Sequence, residues 1–568
     1  MQPYCKILVF FSLSLPADHF GKPMPRQNKT NTVITIIFIS FITFFANNTV
    51  IVPDIMESRN IITAREMVYD GHWLVPTLNG DLRLEKPPLP TWITAVAEII
   101  SPDSLALQRG MAALAALLLV FYFYKFTRFM PDINPMVATM ILCTCYSVIL
   151  MGRTASWDIY CHAFMMCAIY YLCKGLTLPG CSWKCFIVSG IMMGFSFLSK
   201  GPVSFYSLLL PLLAAFAMTN RPSLKRKGKG ILVTVILCLV IGLWWYAYIY
   251  AFHPEAMAYV AEKESGAWLN HNVRPWYYYW KFFLESGVWS LLLPTAILLP
   301  VWSGDDRKNK SYLLPFAWMF IMLVLLSLFP EKKTRYLLPL LIPASYLMGY
   351  LITLWEERLR YKSVFKTDKI LFGINSWTLA AVVFAIPVAA WIFLYTPGYI
   401  TLTVMILFAA VIWAAAIMLA IYARKLKPVK MVATVLALFL FAELFAMPSL
   451  KNVINNPEMN SISKTRENQQ LKGVPFFYNK ENPLRIEIVY AAGRVIRPLT
   501  VTDKDSLLQK LPCVVITHEP VKKELPDIWD SADSLFVGTY DDNRWAKRHH
   551  RHSSEFVYNV TLLSPKEK

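Results

Sequence analysis

The segment 57–92, ESRNIITAREMVYDGHWLVPTLNGDLRLEKPPLPTW, crowds acids, bases and aromatics together directly after a long apolar run. A connection between two membrane helices needs only a handful of residues. This one extends over about 52–105 and is rich in Arg, Lys, Glu, Trp and Pro. Its carboxylates are Asp54, Glu57 and Glu85, its cations include Arg59 and Lys86, and a further acid, Asp158, opens a later apolar run. An acid at the bilayer edge is costly unless paired or wet. Pairing with Arg59, Lys86 or Arg153 is one reading of these groups. The other makes one or two of them the base, or charge stabiliser, for an attacking hydroxyl.

Further cations sit beside short outer loops: Arg153 in GRTASWD, Lys200 in LSKGPV, and Lys332, Lys333 and Arg335 in FPEKKTRYLLP. Helix ends at one depth are neighbours in a bundle, so with Arg59 and Lys86 these groups are expected to line one cavity suited to an anionic lipid head group. Guanidinium grips phosphate through two parallel hydrogen bonds, and ammonium acts as a point charge. Snorkelling to the interface explains any single one of them equally well; as a set they favour a ligand. Lys200 is the sharpest case, held in a Ser-Lys-Gly-Pro turn between adjoining apolar helices. In NHNVRPWYYYWKFF the aromatics suit the head-group level, with Arg274 and His271 in reach of a ligand. A lone His is more often structural, and Glu85 with His271 is the candidate pair for a divalent cation. Glu443 has no outer-face company and reads as a packing or partner-helix residue.

The elements that must position these groups are membrane helices. Of 568 residues 56% are hydrophobic, and the mean hydropathy is +0.42. About thirteen stretches are long enough for a bilayer that needs about 20 residues per crossing. They lie at 32–52, 107–127, 135–152, 157–175, 184–199, 202–219, 230–251, 285–302, 312–329, 336–355, 377–396, 399–423 and 429–449. The net charge of +19 does not point to nucleic acid, because the basic residues collect in alternate loops, which the positive-inside rule makes cytoplasmic. The odd number of spans then places the tail and the 57–92 segment together outside the cytoplasm.

The expected organisation is an N-terminal cytoplasmic segment 1–31, with Met24 as a natural start, a transmembrane domain 32–450 and a small α/β domain 451–568. In the last, runs at 485–490, 513–517, 534–540 and 555–563 read as strands, 503–510 as helix-compatible and 451–473 as a linker. Most of the ten cysteines lie in or at the ends of spans and read as packing residues; Cys513 in the tail has no obvious partner. The basic cluster 547–552 reads as a solvated loop in preference to a lipid contact.

MESRNIITAREM, HWLVPTLNG, LEKPPLPTW, GRTASWD, LSKGP, RPWYYY and KKTRYLLPL, in this order, resemble the bacterial lipid-linked glycosyltransferases of the GT-C class. Within it they are closest to the protein O-mannosyltransferase-like group that includes the 4-amino-4-deoxy-L-arabinose (lipid A) transferases. The resemblance implies a polytopic α-helical membrane protein of GT-C architecture. It implies a transferase that takes a sugar from a polyprenyl-phosphate donor at the outer face of the bacterial inner membrane and passes it, with inversion, to a lipid or protein acceptor. Glu57, Arg59, Glu85, Lys86, Asp158, Lys200 and Tyr336 fall on its motifs. Its common Asp-Glu-x-Arg is Met56-Glu57-Ser58-Arg59 here, so Asp54 or Glu57 must stand in for the missing Asp. The expected catalytic acids are therefore Glu57, Asp158 and Asp54. The expected donor contacts are Arg59, Glu85, Lys86, Lys200, Arg274, Lys333, Arg335 and Tyr336. A glycan ligase is a close alternative, and an anionic-lipid flippase a more distant one, since apart from Glu443 deep ionisable residues are sparse.

Overall fold

The computed structural model describes residues 29–360, 366–499, 508–529 and 531–566. The segment 1–28, with the expected start at Met24, and residues 503–507 of the helix-compatible stretch lie outside the described residues. Among those described, eight helices are long and apolar enough to cross a membrane, and a ninth span results if one bent pair counts once. The protein is a multi-pass membrane protein.

The membrane part begins with α1 (Lys29–Phe45), which leads into the first loop. That loop folds as α2 (Ile55–Tyr69), a hairpin of β1 (Thr77–Leu78) and β2 (Asp81–Leu82), and α3 (Leu89–Ile100). Asp54 caps α2, its Oδ1 accepting the Glu57 N–H at 2.8 Å, which satisfies one of the free amides of a helix start. Then come α4 (Leu105–Phe129), α5 (Pro135–Cys143), α6 (Tyr146–Gly152), α7 (Trp157–Thr177), α8 (Trp183–Lys200), α9 (Leu210–Thr219) and α10 (Gly228–Phe252). Five more apolar helices follow, Lys310–Leu328, Thr334–Arg358, Lys366–Tyr395, Leu402–Arg424 and Pro428–Ser449.

Of the thirteen expected stretches, two are broken and three give helices short of the length or apolarity of a crossing. The expected span 135–152 is α5 and α6, bent by 70°. The run 285–302 has non-helical backbone at Gly287, whose φ is +65°, and divides at Leu298 into Leu292–Ile297 and Leu299–Trp302, the second with Pro300 in its first turn. The regions 32–52 and 202–219 give the short apolar helices Asn31–Phe45 and Phe205–Thr219, and 184–199 is the 18-residue α8.

The α8 helix is pressed against α10. A Cβ at Gly190 would lie 2.7 Å from the Thr234 carbonyl oxygen, and one at Gly194 2.6 Å from the Ile241 Cβ. Small residues at this spacing let two helix backbones approach closely. The helix ends on Lys200 because Gly201 adopts φ +64°, ψ −145°, a conformation open to glycine alone. The expected Ser-Lys-Gly-Pro reversal is thus present, with Lys200 as its last helical residue.

The tail forms a five-stranded sheet in the order β4-β3-β5-β7-β6, from β3 (Phe476–Asn479), β4 (Ile496–Leu499), β5 (Cys513–Thr517), β6 (Ala532–Asp541) and β7 (Val557–Pro565). Strand β3 runs parallel to β4 and β5, and β7 antiparallel to β5 and β6. The expected strand at 485–490 is instead part of the helix Ile486–Ala492. Its buried residues, Ile488, Val489 and Ala492, fall on one helical face, and Gly493 at φ +70° caps it. The expected linker is also folded, with Ile462 and Leu471 fully buried in the core under the sheet. That core takes in Ile62 of α2, so the first loop and the tail pack as one body.

In a free helix Gly194→Ala would gain up to about 1 kcal/mol. Here the contact with Ile241 reverses the sign, and the variant is expected to lose about 1–3 kcal/mol. Thermal unfolding in detergent checks this; a variant melting at or above the parent would show that α8 and α10 do not pack this tightly.

Candidate active site

The start of α7, the end of α8 and the start of the helix Thr334–Arg358 meet around one tyrosine. Lys200 Nζ is ion-paired with Asp158 in the first turn of α7, both side chains being buried. Over the Tyr336 ring lie Lys200 Nζ at 5.3 Å, Arg335 Cζ at 5.8 Å and Lys333 Nζ at 5.9 Å from its centroid, within the range of cation–π attraction. Glu331 pairs with Lys333 at 2.5 Å and accepts from the Tyr336 hydroxyl at 3.5 Å. Beneath them is a cavity lined by Asp158, His162, Tyr206, Ser207 and Tyr336 among others. His162 Nδ1 is buried there without a hydrogen-bond partner, and Arg335 Nε is likewise buried and unpartnered next to Tyr336.

The aromatic run 276–280 props up this basic turn. The Tyr279 hydroxyl donates to the Lys333 carbonyl at 3.2 Å and accepts from the Lys333 amide at 3.0 Å. Residues 272–274 pair with 330–332, through the Val273–Glu331 bridge and a Lys332 N–H to Asn272 O bond of 3.1 Å. Arg274 therefore lies next to the basic turn in the chain packing, with its side chain exposed.

The first loop brings a second group of cations to the same face. Arg83 is buried, donating to the Arg59 carbonyl at 2.8 Å and to Thr63 Oγ1 at 3.2 Å, with its guanidinium 4.8 Å from the centroid of Trp157. Burial lowers its pKa to about 10. Burial likewise lowers the Lys86 ammonium below its ordinary value, with Glu264 opposing and Lys200 adding to the shift. The Lys86–Glu264 contact is 3.4 Å. Arg59 is half-buried and its Nε has no partner among the described residues. Such a surplus of buried positive charge is stabilised by an anion.

Glu57 does not stand free as a base. Arg109 grips it through two hydrogen bonds, Nε to Oε1 at 2.6 Å and Nη2 to Oε2 at 2.7 Å, and the Ala155 amide donates to Oε1 at 2.9 Å. It is 1% exposed. Asp54, three residues earlier, is exposed and lies within electrostatic reach of Arg335, as does Asp158.

Arg153, expected in the cavity, is engaged elsewhere. It pairs with Glu443 at 2.6 Å and donates to the Thr43 carbonyl at 2.8 Å. Glu443 thus has the outer-face partner that its sequence neighbours do not reveal.

The suggested cation pair does not fit this arrangement. Glu85 is bonded to Lys263 at 3.0 Å and His271 is exposed. Burial, which raises the Glu85 pKa, is outweighed by Lys263, and the group sits below the ordinary carboxylate value. Among the described residues a grouping of metal-ligand type is Glu66, Asp70 and His72. Glu66 already accepts from Thr77 and from the amides of Asn79 at 2.6 Å and Gly80 at 3.3 Å. No reaction step is routed through either set.

The structure thus gathers Asp158, Lys200, Lys333, Arg335 and Tyr336, sets Lys86 within electrostatic reach of Lys200, and places Asp54 near Arg335. Sequence reasoning missed Arg83, Arg109, Glu331 and His162. For Arg83 a signal existed, since it stands two residues before Glu85 in DLRLEKPP. Arg109, Glu331 and His162 carry none beyond being ionisable next to apolar runs.

Residues 85–246 match the family described as dolichyl-phosphate-mannose-protein mannosyltransferase. The chain is 28% identical over 339 residues to undecaprenyl phosphate-alpha-4-amino-4-deoxy-L-arabinose arabinosyl transferase 1 of Pseudomonas fluorescens, covering 56% of this chain and 57% of that protein. To the Serratia proteamaculans protein of corresponding name it is 25% identical over 344 residues, covering 57% and 58%. The matches span little more than half the length of these curated relatives. The crystal structure of ArnT from Cupriavidus metallidurans bound to undecaprenyl phosphate superposes with a TM-score of 0.68 at 15% identity, covering 95% of this chain and 100% of that one. At that identity the likeness is one of fold.

The two first-loop acids are expected to differ in what they hold. Glu57→Gln breaks a buried ion pair and should cost about 3–5 kcal/mol. Asp54→Asn keeps an equally good helix cap and should stay within about 0.5 kcal/mol of the parent. Melting temperatures in one detergent compare them; equal losses would refute the division.

Proposed function

We propose that the chain is a GT-C class lipid-linked glycosyltransferase that moves a sugar from a polyprenyl-phosphate donor to a lipid A-like acceptor at the outer face of the inner membrane. The observation that carries the reading is the gathering of Lys200, Lys333 and Arg335 about Tyr336, beside the buried carboxylate of Asp158. A phosphate is the ligand that such a site stabilises. The names of the curated relatives supply the donor class, and aminoarabinose is the sugar they favour.

In the transfer an acceptor oxygen attacks the anomeric carbon. The bond from that carbon to the donor's phosphate oxygen breaks, its electron pair staying on the phosphate. Lys200, Arg335 and Lys86 stabilise the charge that develops there, and the protein contributes mainly position and electrostatics. Asp158 holds the Lys200 ammonium in place. Asp54, with its free carboxylate, receives the proton when the acceptor is a hydroxyl; an ionised phosphate acceptor has none to give up. Attack opposite the departing phosphate inverts the anomeric centre. Arg59, Lys333, Tyr336 and Arg274 line the approach of the head group.

In this reading 32–450 is the transferase body and 451–568 a periplasmic domain. The tail and the first loop share a face, joined by bonds such as Arg65 Nη1 to the Tyr490 carbonyl at 3.0 Å and Asn79 Nδ2 to the Ile496 carbonyl at 2.7 Å. Alkaline phosphatase fused after residue 568 is expected to be active, and a cytoplasm-dependent fluorescent protein at the same point dark. The opposite pattern would reverse the topology.

Purified protein in nanodiscs, given polyprenyl-phosphate aminoarabinose and lipid A, is expected to yield lipid A heavier by one sugar. Lys200→Ala should remove turnover, and Asp54→Asn should cut it by roughly 10²–10⁴-fold for a hydroxyl acceptor, the range for acid–base groups, and far less for a phosphate. No product with any lipid or protein acceptor, together with donor movement across the bilayer, would favour a flippase and sink the transferase reading.

A further inference from the structure

A second group of cations on the domain built from the tail is not used by this reaction. Residues 544–551, RWAKRHHR, form a loop after β6, fastened at three points. Arg544 donates to the Pro53 carbonyl. Asn456 Nδ2 donates to the carbonyls of Asn543 at 2.9 Å and Trp545 at 3.2 Å. The Lys547 amide donates to Glu458 at 3.4 Å. Pro53 lies shortly after α1, and Asn456 and Glu458 lie shortly after the last apolar helix, Pro428–Ser449. The loop is therefore held near the ends of the short apolar helix α1 and of the last membrane helix.

Those helices turn large apolar side chains outward at this end. Phe41 is 58% exposed and Phe445 63%, and the exposed Ile51 and Val453 carry the apolar surface on toward the loop. On the loop, Lys547, Arg548, His550 and Arg551 are exposed. Among the described residues no salt bridge involves Lys547, Arg548 or Arg551. The Trp545 ring is 42% exposed, stacks on His549 at 4.4 Å and has the Arg551 guanidinium 5.4 Å from its centroid. An amphipathic ring at the end of a lipid-facing surface, surrounded by unpaired cations, is complementary to the head-group layer of an anionic membrane.

We propose that residues 544–551 dock on anionic glycerophospholipid head groups and hold the tail domain down on the bilayer. Lys547, Arg548 and Arg551 take phosphate oxygens, and Trp545 sits at the boundary between head groups and acyl chains. The expected solvated loop becomes a membrane contact. The proposal needs only the fastening to the two helix ends, so it stands apart from the transferase reading.

The test uses the full chain in nanodiscs of phosphatidylcholine alone and of phosphatidylcholine mixed with phosphatidylglycerol, with amide hydrogen exchange followed over residues 542–552. Exchange is expected to slow by about tenfold or more in the anionic discs, on the scale of a few basic residues near a charged surface. High salt should remove the difference, as should the triple substitution Lys547→Gln, Arg548→Gln and Arg551→Gln. Equal exchange of the parent in both lipids overturns the proposal without recourse to any variant. Slowing that survives the triple substitution overturns it too, by assigning the effect to other residues.

Discussion

The carboxylate of Glu57 ties the first loop to the helices around it. Its two oxygens take the guanidinium of Arg109 on α4 and the amide of Ala155 just before α7. Arg109 also gathers the carbonyls of Asn48 at 2.5 Å and Ile51 at 2.8 Å, in the chain that leaves α1. One buried charge pair thus fixes the starts of α2 and α7 and the exit of α1. Asp54 lies three residues before this knot and Asp158 three residues after Ala155, so the positions of both acids follow from it. A buried pair of this kind is a poor source of net stability, and its attested use is to specify register.

Around that knot the balance of charge is unequal. Acids at the outer face are largely paired: Glu57 with Arg109, Glu443 with Arg153, Glu85 with Lys263, Glu331 with Lys333. Several cations are not, among them Arg59, Arg83 and Arg335, none of which forms a salt bridge within the described residues. Pairing elsewhere serves the scaffold, and the unpaired remainder defines where an anion is welcome. Of these, Arg335 lies against Tyr336, an aromatic face that accepts cations without neutralising them.

Much of this was legible in the sequence, and the parts that were not share a cause. Runs of about 20 apolar residues announce membrane crossings, and Lys200, Asp158 and the KKTRY turn stood out as charge at helix ends. What composition does not show is which charge meets which. Arg109 lies 52 residues from Glu57, and Arg153 is far from Glu443 in the chain, so periodicity fixes their faces and not their partners. Breaks inside apolar runs were equally hidden, because Gly287 and the turn between α5 and α6 interrupt helices without interrupting hydrophobicity. The β-branched run 485–490 reads as a strand until burial is known; its packed face has helical spacing.

The packing of Ile62 into the core under the tail sheet bears on how the chain is made. The bond from Arg65 to the Tyr490 carbonyl joins residues 425 apart, and those from Asn79 to Ile496 join residues 417 apart. The first loop emerges from synthesis early, and these packing partners follow more than 400 residues later. Until residues 486–496 arrive, Ile62 has no core to enter and the hairpin of β1 and β2 no anchor at Asn79. Contacts of such sequence separation form late. Completion of the loop that carries Asp54, Arg59 and Lys86 therefore waits on nearly the whole polypeptide, and a chain released early carries the ionisable groups without the finished surface that arranges them.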